Sequence, residues 1–423
     1  MATVRDFPSP ATGNLAARVV SDRAEGEAYV ASVCFKHGPP RLLGVELEYT
    51  LHHRDDPSRP LDPGELAAAL GPHTPVTLDP GSPATPLPGG SPVSLEPGGQ
   101  VELSALPSES LADLAGVVDA DLAYLTELLA RSGLELGATG IDAHRAPRRV
   151  LQTPRYAAME RRFAPDGPGG ATMMSSTAGL QVCVDTGEAG DLPARWAAVH
   201  ELGPVLLALF ANSRVHAGKD TGSASARWLA VMATERARTF AATASPDPPA
   251  DWGRRMMDTP VMVVPRRDGP WDAPVRFTFA DWIEGRGEAG VFGPPTVADL
   301  DYHLTTLFTP VRPQGYLEIR YLDAQPPRGW LDATALLVAL LARPSTVDRV
   351  RELCEPVAGA WETAAGRGLA DPAIAAAARA VADLGCAALG DTGLAPPVID
   401  RIAAAVQHRA ASPSASPTPE ERA

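Results

Sequence analysis

Four short stretches of this chain alternate a polar side chain with an aliphatic one, and a period of two commits each of them to be a strand with one polar and one apolar face. In Gly44-Val45-Glu46-Leu47-Glu48-Tyr49, Glu46 and Glu48 share one face while Val45, Leu47 and Tyr49 share the other. In Tyr316-Leu317-Glu318-Ile319-Arg320-Tyr321, an acid and a base, Glu318 and Arg320, stand together opposite Leu317, Ile319 and Tyr321. Glu102 pairs with Ser104 in the same way across Leu103, and Gln181, Cys183 and Asp185 alternate with Leu180, Val182 and Val184.

Taken singly, each is the ordinary pattern of an antiparallel strand with a solvated face. As a set they say more, because surface strands usually carry Thr, Lys, Arg or Gln on the wet side. Four glutamates with no lysine among them repel one another unless cations sit between them. Hard oxygen ligands at high carboxylate density favour Mg²⁺ or Mn²⁺ over zinc, and Mg²⁺ held by a few carboxylates completes its shell with water and nucleotide phosphates. Arg320 beside Glu318 is then placed to stabilise a phosphoryl group in transfer. The pattern points to phosphoryl transfer without naming the substrate.

Strand-like runs at 42–50, 100–104, 180–185 and 315–322 are separated by helical periodicity at 111–131, 195–211, 225–240, 297–307 and 331–342, which reads as an α+β fold. From about residue 346 the chain is Ala-rich helix, at 347–360, 372–384 and 397–409. The expected organisation is a flexible segment over 1–25, a catalytic α+β domain over 26–345, a C-terminal helical region over 346–410 packed on it, and a disordered Pro/Ser tail over 411–423.

Composition narrows the partners. A net charge of −14 argues against nucleic acid or an anionic membrane surface. Only Lys36 and Lys219 are lysines, so nearly all positive charge is guanidinium, suited to gripping carboxylate or phosphate in a bidentate fashion. Cys34, Cys183, Cys354 and Cys386 lie far apart with no metal-ligand spacing, as expected of reduced thiols in the cytoplasm. No apolar run is long enough to span a bilayer, and no basic leader precedes an apolar core. The usual nucleotide motifs are absent: Gly218-Lys219-Asp220-Thr221 lacks the upstream glycine of a P-loop, and Glu96-Pro97-Gly98-Gly99-Gln100 reads as a tight turn into the Glu102 strand. The histidines show no ligand spacing and read as structural or solvated.

Seven ordered blocks give the chain a resemblance to the bacterial and plant-type glutamate-cysteine ligases, nearest the actinobacterial branch of ergothioneine biosynthesis. They are G-V-E-L-E at 44–48; L-E-P-G-G-Q-V-E-L-S at 95–104; Arg155-Tyr156 with Met159-Glu160; Met173-Met174 through Thr177-Ala178 to Gln181-Val182 and Asp185; Ala211-Asn212-Ser213; Thr306-Leu307-Phe308 with Val311-Arg312-Pro313; and L-E-I-R-Y-L-D at 317–323. The resemblance implies a glutamine-synthetase-like fold, in which an antiparallel sheet curls into a funnel covered by helices. It implies that ATP phosphorylates the glutamate γ-carboxylate and that the cysteine amine attacks the acyl phosphate. By the same carry-over Glu46, Glu48, Glu102 and Glu318 are metal ligands, and Arg320 and Gln181 stand at the nucleotide and metal. Glu318 and Arg320 are the catalytic pair. Arg227, Arg238 and Arg155, with Gln181, are candidates for the substrates. The chain departs from the family pattern after Ser225, where Arg227 is followed by Trp228 and Val231 in place of R-Q-x-x-W, and at Cys183, where relatives often carry asparagine. Both changes bear on the amine, so a ligase using another amine acceptor is the competing reading, with a non-catalytic metal-nucleotide binding paralogue as a third.

Overall fold

The alternating stretches do assemble side by side. In the computed structural model, which describes residues 16–411, six strands form one antiparallel sheet. They are β1 (Leu43–Tyr49), β2 (Val93–Leu95), β3 (Val101–Ser104), β4 (Gly179–Val184), β5 (Val311–Pro313) and β6 (Leu317–Asp323). Their spatial order is β2-β3-β1-β4-β6-β5, and the sheet stays open, its edge strands β2 and β5 unpaired with each other.

Register brings the polar residues into one row across the strands. Glu48 lies opposite Glu102 and Glu46 opposite Ser104 on β3, and Ser94 of β2 faces Glu102. On the other side Glu46 pairs with Gln181, Glu318 with Cys183, and Arg312 of β5 with Glu318. The pairing of β4 with β6 shifts between Ile319 and Leu322, a bulge of the kind that re-aims side chains beside active sites.

Val45, Leu47, Leu180, Val182, Ile319 and Tyr321 form the buried apolar face. Helices Leu192–Leu209 and Trp330–Leu341 lie against it, and the Tyr321 hydroxyl donates to the Val199 carbonyl. Helices Pro344–Cys354 and Pro372–Ala388 pack in turn on Leu192–Leu209. By length and composition Pro372–Thr392 could cross a bilayer, contrary to the expectation that no segment has that reach. Its Ile374, Ala378, Val381 and Ala382 are buried among the neighbouring helices.

Two expectations about local structure need correction. The 225–240 periodicity forms two helices, Ala226–Met232 and Arg236–Thr239, because the Thr234 hydroxyl takes the Val231 carbonyl and Glu235 turns to Arg162 and Arg238. Within 1–25, Val19 bridges to Thr296, and helix Arg23–Cys34 begins on an Asp22 cap. Residues 1–15 and the tail from 412 lie outside the described residues. Lys219 sits in a short hairpin with Gly218 at φ 74°, a turn rather than a phosphate loop.

Candidate active site

The acidic face is buried. Glu46 and Glu48 are 8% exposed, and Glu102 and Glu318 are wholly enclosed. Burying carboxylates costs free energy unless something compensates each one, and the compensation differs along the row.

At the β5 end it comes from the chain itself. Arg312 places Nε and Nη2 on the two Glu318 oxygens, at 2.5 and 2.9 Å. The Gln314 amide and Arg320 Nη1 donate to the same carboxylate at 2.9 Å each. Burial works against ionisation of Glu318, but the charges of Arg312 and Arg320 outweigh it and hold the carboxyl down at about 2. The expectation of acids without a basic neutraliser therefore fails at Glu318. Its counter-ion comes from the neighbouring strand, a cross-strand pairing that period-two reading of single segments does not show.

The β2 end is built from carboxylates that meet one another. Glu48, Glu96 and Glu102 each offer a carboxylate oxygen, all within 4.8 Å of one another. Glu48 accepts from the Gly179 amide and the Gln181 side chain, and Glu102 accepts from the Ser94 and Ser104 hydroxyls. Burial, then the charges of Glu48 and Glu102, push the Glu96 carboxyl up to about 8. Glu46 is likewise raised, by burial and then by the charges of Glu102 and Glu318. Three oxygens on an octahedral Mg²⁺ lie no more than roughly 4.2 Å apart. The trio matches such an ion after a small closure.

Glu96 was not among the sequence candidates. The turn read at 96–100 is real: the Gly99 amide donates to the Glu96 carbonyl with Gly99 at φ 87°. A Cβ on Gly98 would stand 2.1 Å from the Ser175 carbonyl, so the turn also requires glycine there. What the turn reading missed is that Ser94 and Glu96 continue the i, i+2 alternation facing Glu102.

The remaining candidates separate cleanly. Gln181 is buried between the two ends, its amide donating to Glu48 and its oxygen accepting from Arg320. Arg320 and Arg227 line a cleft that also exposes Glu48 and Glu96, walled by Tyr156, Met173, Trp228 and Phe308. Arg227 Nη2 donates to the Arg320 carbonyl at 2.9 Å, whereas its buried Nε and Nη1 have no hydrogen-bond partner. Burial lowers the Arg227 pKa against the opposing charges of Asp323 and Glu48. A buried guanidinium with open donors in a cleft is suited to an incoming carboxylate.

Arg238 and Arg155 lie elsewhere. Arg238 is fully buried with Glu235, Thr306 and the Pro260 carbonyl as partners. Arg155 binds Thr305 through Nη1 and Nη2 and packs over the Tyr302 ring, while its neighbour Tyr156 reaches the cleft. His200 and His303 are pushed by burial to about 4 and about 3 and rest on backbone carbonyls, consistent with structural roles.

Comparison with known proteins identifies the family. The family described as glutamate-cysteine ligase family 2 (GCS2) matches residues 42–408. The chain is 37% identical to the glutamate-cysteine ligase EgtA of Mycobacterium tuberculosis over 363 residues, covering 83% of this chain and 80% of that one. It is 37% identical to EgtA of Mycolicibacterium smegmatis over 353 residues, covering 82% and 80%. A solved glutamate-cysteine ligase from Francisella tularensis in complex with AMP aligns at 12% identity and a TM-score of 0.46, over 89% of this chain and 83% of that one.

Proposed function

Because the chain belongs to glutamate-cysteine ligase family 2, we propose that it joins the γ-carboxylate of glutamate to the amino group of cysteine with cleavage of ATP, through a γ-glutamyl phosphate. The observation that carries this reading is one cleft holding Glu48 and Glu96 of the carboxylate trio beside two guanidiniums, Arg320 and Arg227.

Glu48, Glu96 and Glu102 would hold a Mg²⁺, or Mn²⁺ in its place. Glu46 and Glu318 are further ligands along the same row, with Glu318 keeping Arg312 as its partner. Bound there, the cation supplies the positive charge that lets the trio ionise together and that draws phosphate oxygens to it. Glu318 and Gln181 fix Arg320 Nη1, so that the guanidinium meets the charge developing on the transferred phosphoryl without reorganising. Arg227 takes a substrate carboxylate. The wall of Tyr156, Met173, Trp228 and Phe308 keeps water from the acyl phosphate, whose hydrolysis would compete with amide formation. The sheet, open in its pairing, serves as the glutamine-synthetase-like funnel that the sequence resembles. The enzyme acts in the cytoplasm, and γ-glutamylcysteine enters ergothioneine biosynthesis.

A second acceptor earns a test, because Trp228 and Val231, where the chain departs from the family pattern, both line the cleft. ADP release is measured with glutamate, Mg²⁺ and a panel of amines, and products are weighed by mass spectrometry. Release that requires both glutamate and cysteine, with the mass of γ-glutamylcysteine, is expected. Turnover with another amine but not with cysteine would replace the acceptor, and no amine-dependent ADP at all would overturn the reading.

A further inference from the structure

Asp323 ends β6 beyond the bulge, fully buried, and touches neither the cleft nor the carboxylate row. A buried carboxylate away from the reacting groups calls for an explanation. One oxygen accepts from the Asn212 amide at 2.8 Å and the Ser213 hydroxyl at 2.7 Å. The other accepts from the Ser225 hydroxyl at 2.8 Å and lies 3.8 Å from Arg227 Nη1.

Two of those donors, the serines, lead back to Arg227. Ser225 caps helix Ala226–Met232, its oxygen receiving the Trp228 amide, and Ser213 receives the Arg227 amide itself at 3.1 Å. Asp323 thus grips the start of the helix through two serines and faces the tip of the side chain through charge. The side chain then crosses β4 directly above Gly179, where a Cβ would stand 2.2 Å from Nη2, and it anchors on the Arg320 carbonyl. Backbone and guanidinium are held, yet Nε and Nη1 keep no hydrogen-bond partner.

We propose that Asp323 is a positioning residue: by fixing the Ser225 end of the helix and facing Nη1, it holds the Arg227 guanidinium over Gly179 at the wall of the cleft, where it meets the α-carboxylate of an amino-acid substrate. The inference rests on the assignment of Arg227 to a substrate carboxylate. It adds that selection for carboxylate-bearing substrates depends on a residue that never meets them. The 3.8 Å gap matters, because a closer acid would occupy the donors that the substrate needs.

The test compares kcat/KM for each substrate with that for its analogue lacking the α-carboxylate: glutamate against 4-aminobutyrate, and cysteine against cysteamine. Wild type, Arg227→Ala, Asp323→Asn and Ser213→Ala are assayed as full chains with MgATP. Asparagine keeps the shape and most of the hydrogen bonds while removing the charge. Asp323→Asn is expected to lower the preference for one carboxylate-bearing substrate about tenfold, the size of a weakened charge-assisted contact, with KM for ATP unchanged. Ser213→Ala should move the same ratio in the same direction by about threefold, and it decides the matter should Asp323→Asn not fold. Wild-type discrimination in the folded variants, beside its loss in Arg227→Ala, would overturn the role of Asp323 alone. Full discrimination in Arg227→Ala would remove the carboxylate assignment beneath it while leaving the ligase reaction standing.

Discussion

Replacing Glu96 with glutamine should make the metal-free protein more stable and the magnesium-bound protein less so. Glu96 titrates at about 8 in the folded chain, against an ordinary 4.5, because it is buried beside Glu48 and Glu102. As pH rises between those values the unfolded state releases a proton that the folded state keeps, so folding weakens with pH through this window. At about 1.4 kcal/mol per pH unit, the gap between the two values sets a ceiling of roughly 5 kcal/mol by pH 8. Glu48 and Glu102 share that repulsion, which leaves about 2 kcal/mol as the part relieved by Glu96→Gln. The assay is urea unfolding of wild type and variant in chelator, from pH 4 to pH 8, repeated in saturating MgCl₂. The two proteins should be equally stable at pH 4, with the variant ahead by about 2 kcal/mol at pH 8. At a hundredfold excess over Kd, Mg²⁺ should return about 2.7 kcal/mol to the wild type and far less to the variant. A variant that is less stable in chelator at pH 8, or a gap that does not change with pH, would refute the reasoning.

Three further outcomes follow from the same geometry. Arg320→Lys should lower kcat by about a hundredfold with KM for glutamate nearly unchanged, since an ammonium cannot reach both Gln181 and Glu318 and still face the phosphoryl; wild-type turnover would remove the assignment. Arg238→Ala should cost about 2 kcal/mol of stability by removing one of the two guanidiniums paired with Glu235, the other being Arg162, without altering KM in the folded fraction. A selective rise in KM at unchanged stability would return Arg238 to the substrate site. Gly179→Ala should raise KM for the substrate whose carboxylate Arg227 holds, because the new methyl collides with Nη2, and it should leave KM for ATP unaffected.

The parts of this site legible in the sequence are those carried by period two. Glu46, Glu48, Glu102, Gln181, Glu318 and Arg320 do share one face, because alternation along a strand survives whatever the sheet packs against. Pairing between strands is another matter. Arg312 was visible in the family blocks, yet its partnership with Glu318 depends on the β5–β6 register, which no single segment encodes. Glu96 was lost to the turn it belongs to, since Pro97-Gly98-Gly99 is a strong local signal and the alternation from Ser94 spans only two positions. Arg238 shows the opposite error. The family resemblance made it a substrate candidate, but the helix breaks at Thr234 and the side chain turns inward to Glu235. The open pairing of the sheet reflects the same limit: closure is a property of edge strands, and nothing local to Val93–Leu95 or Val311–Pro313 specifies it.

The two ends of the polar face therefore reach neutrality by different routes, and the difference bears on how the enzyme is controlled. At Glu318 the counter-ions are covalently part of the chain, so this end is complete once β5 and β6 pair. At Glu96 the charge of Arg320 does not offset burial and two neighbouring carboxylates, and the carboxyl is pushed up to about 8. A site so divided keeps its phosphoryl-stabilising arginine in place before any ligand arrives, while the end facing the substrate cleft waits for a cation to displace the proton on Glu96. Cation binding should accordingly strengthen with pH below about 8 and release close to one proton per site, measurable as the dependence of binding enthalpy on buffer ionisation; binding without proton release near neutral pH would mean that the trio is not where the cation sits.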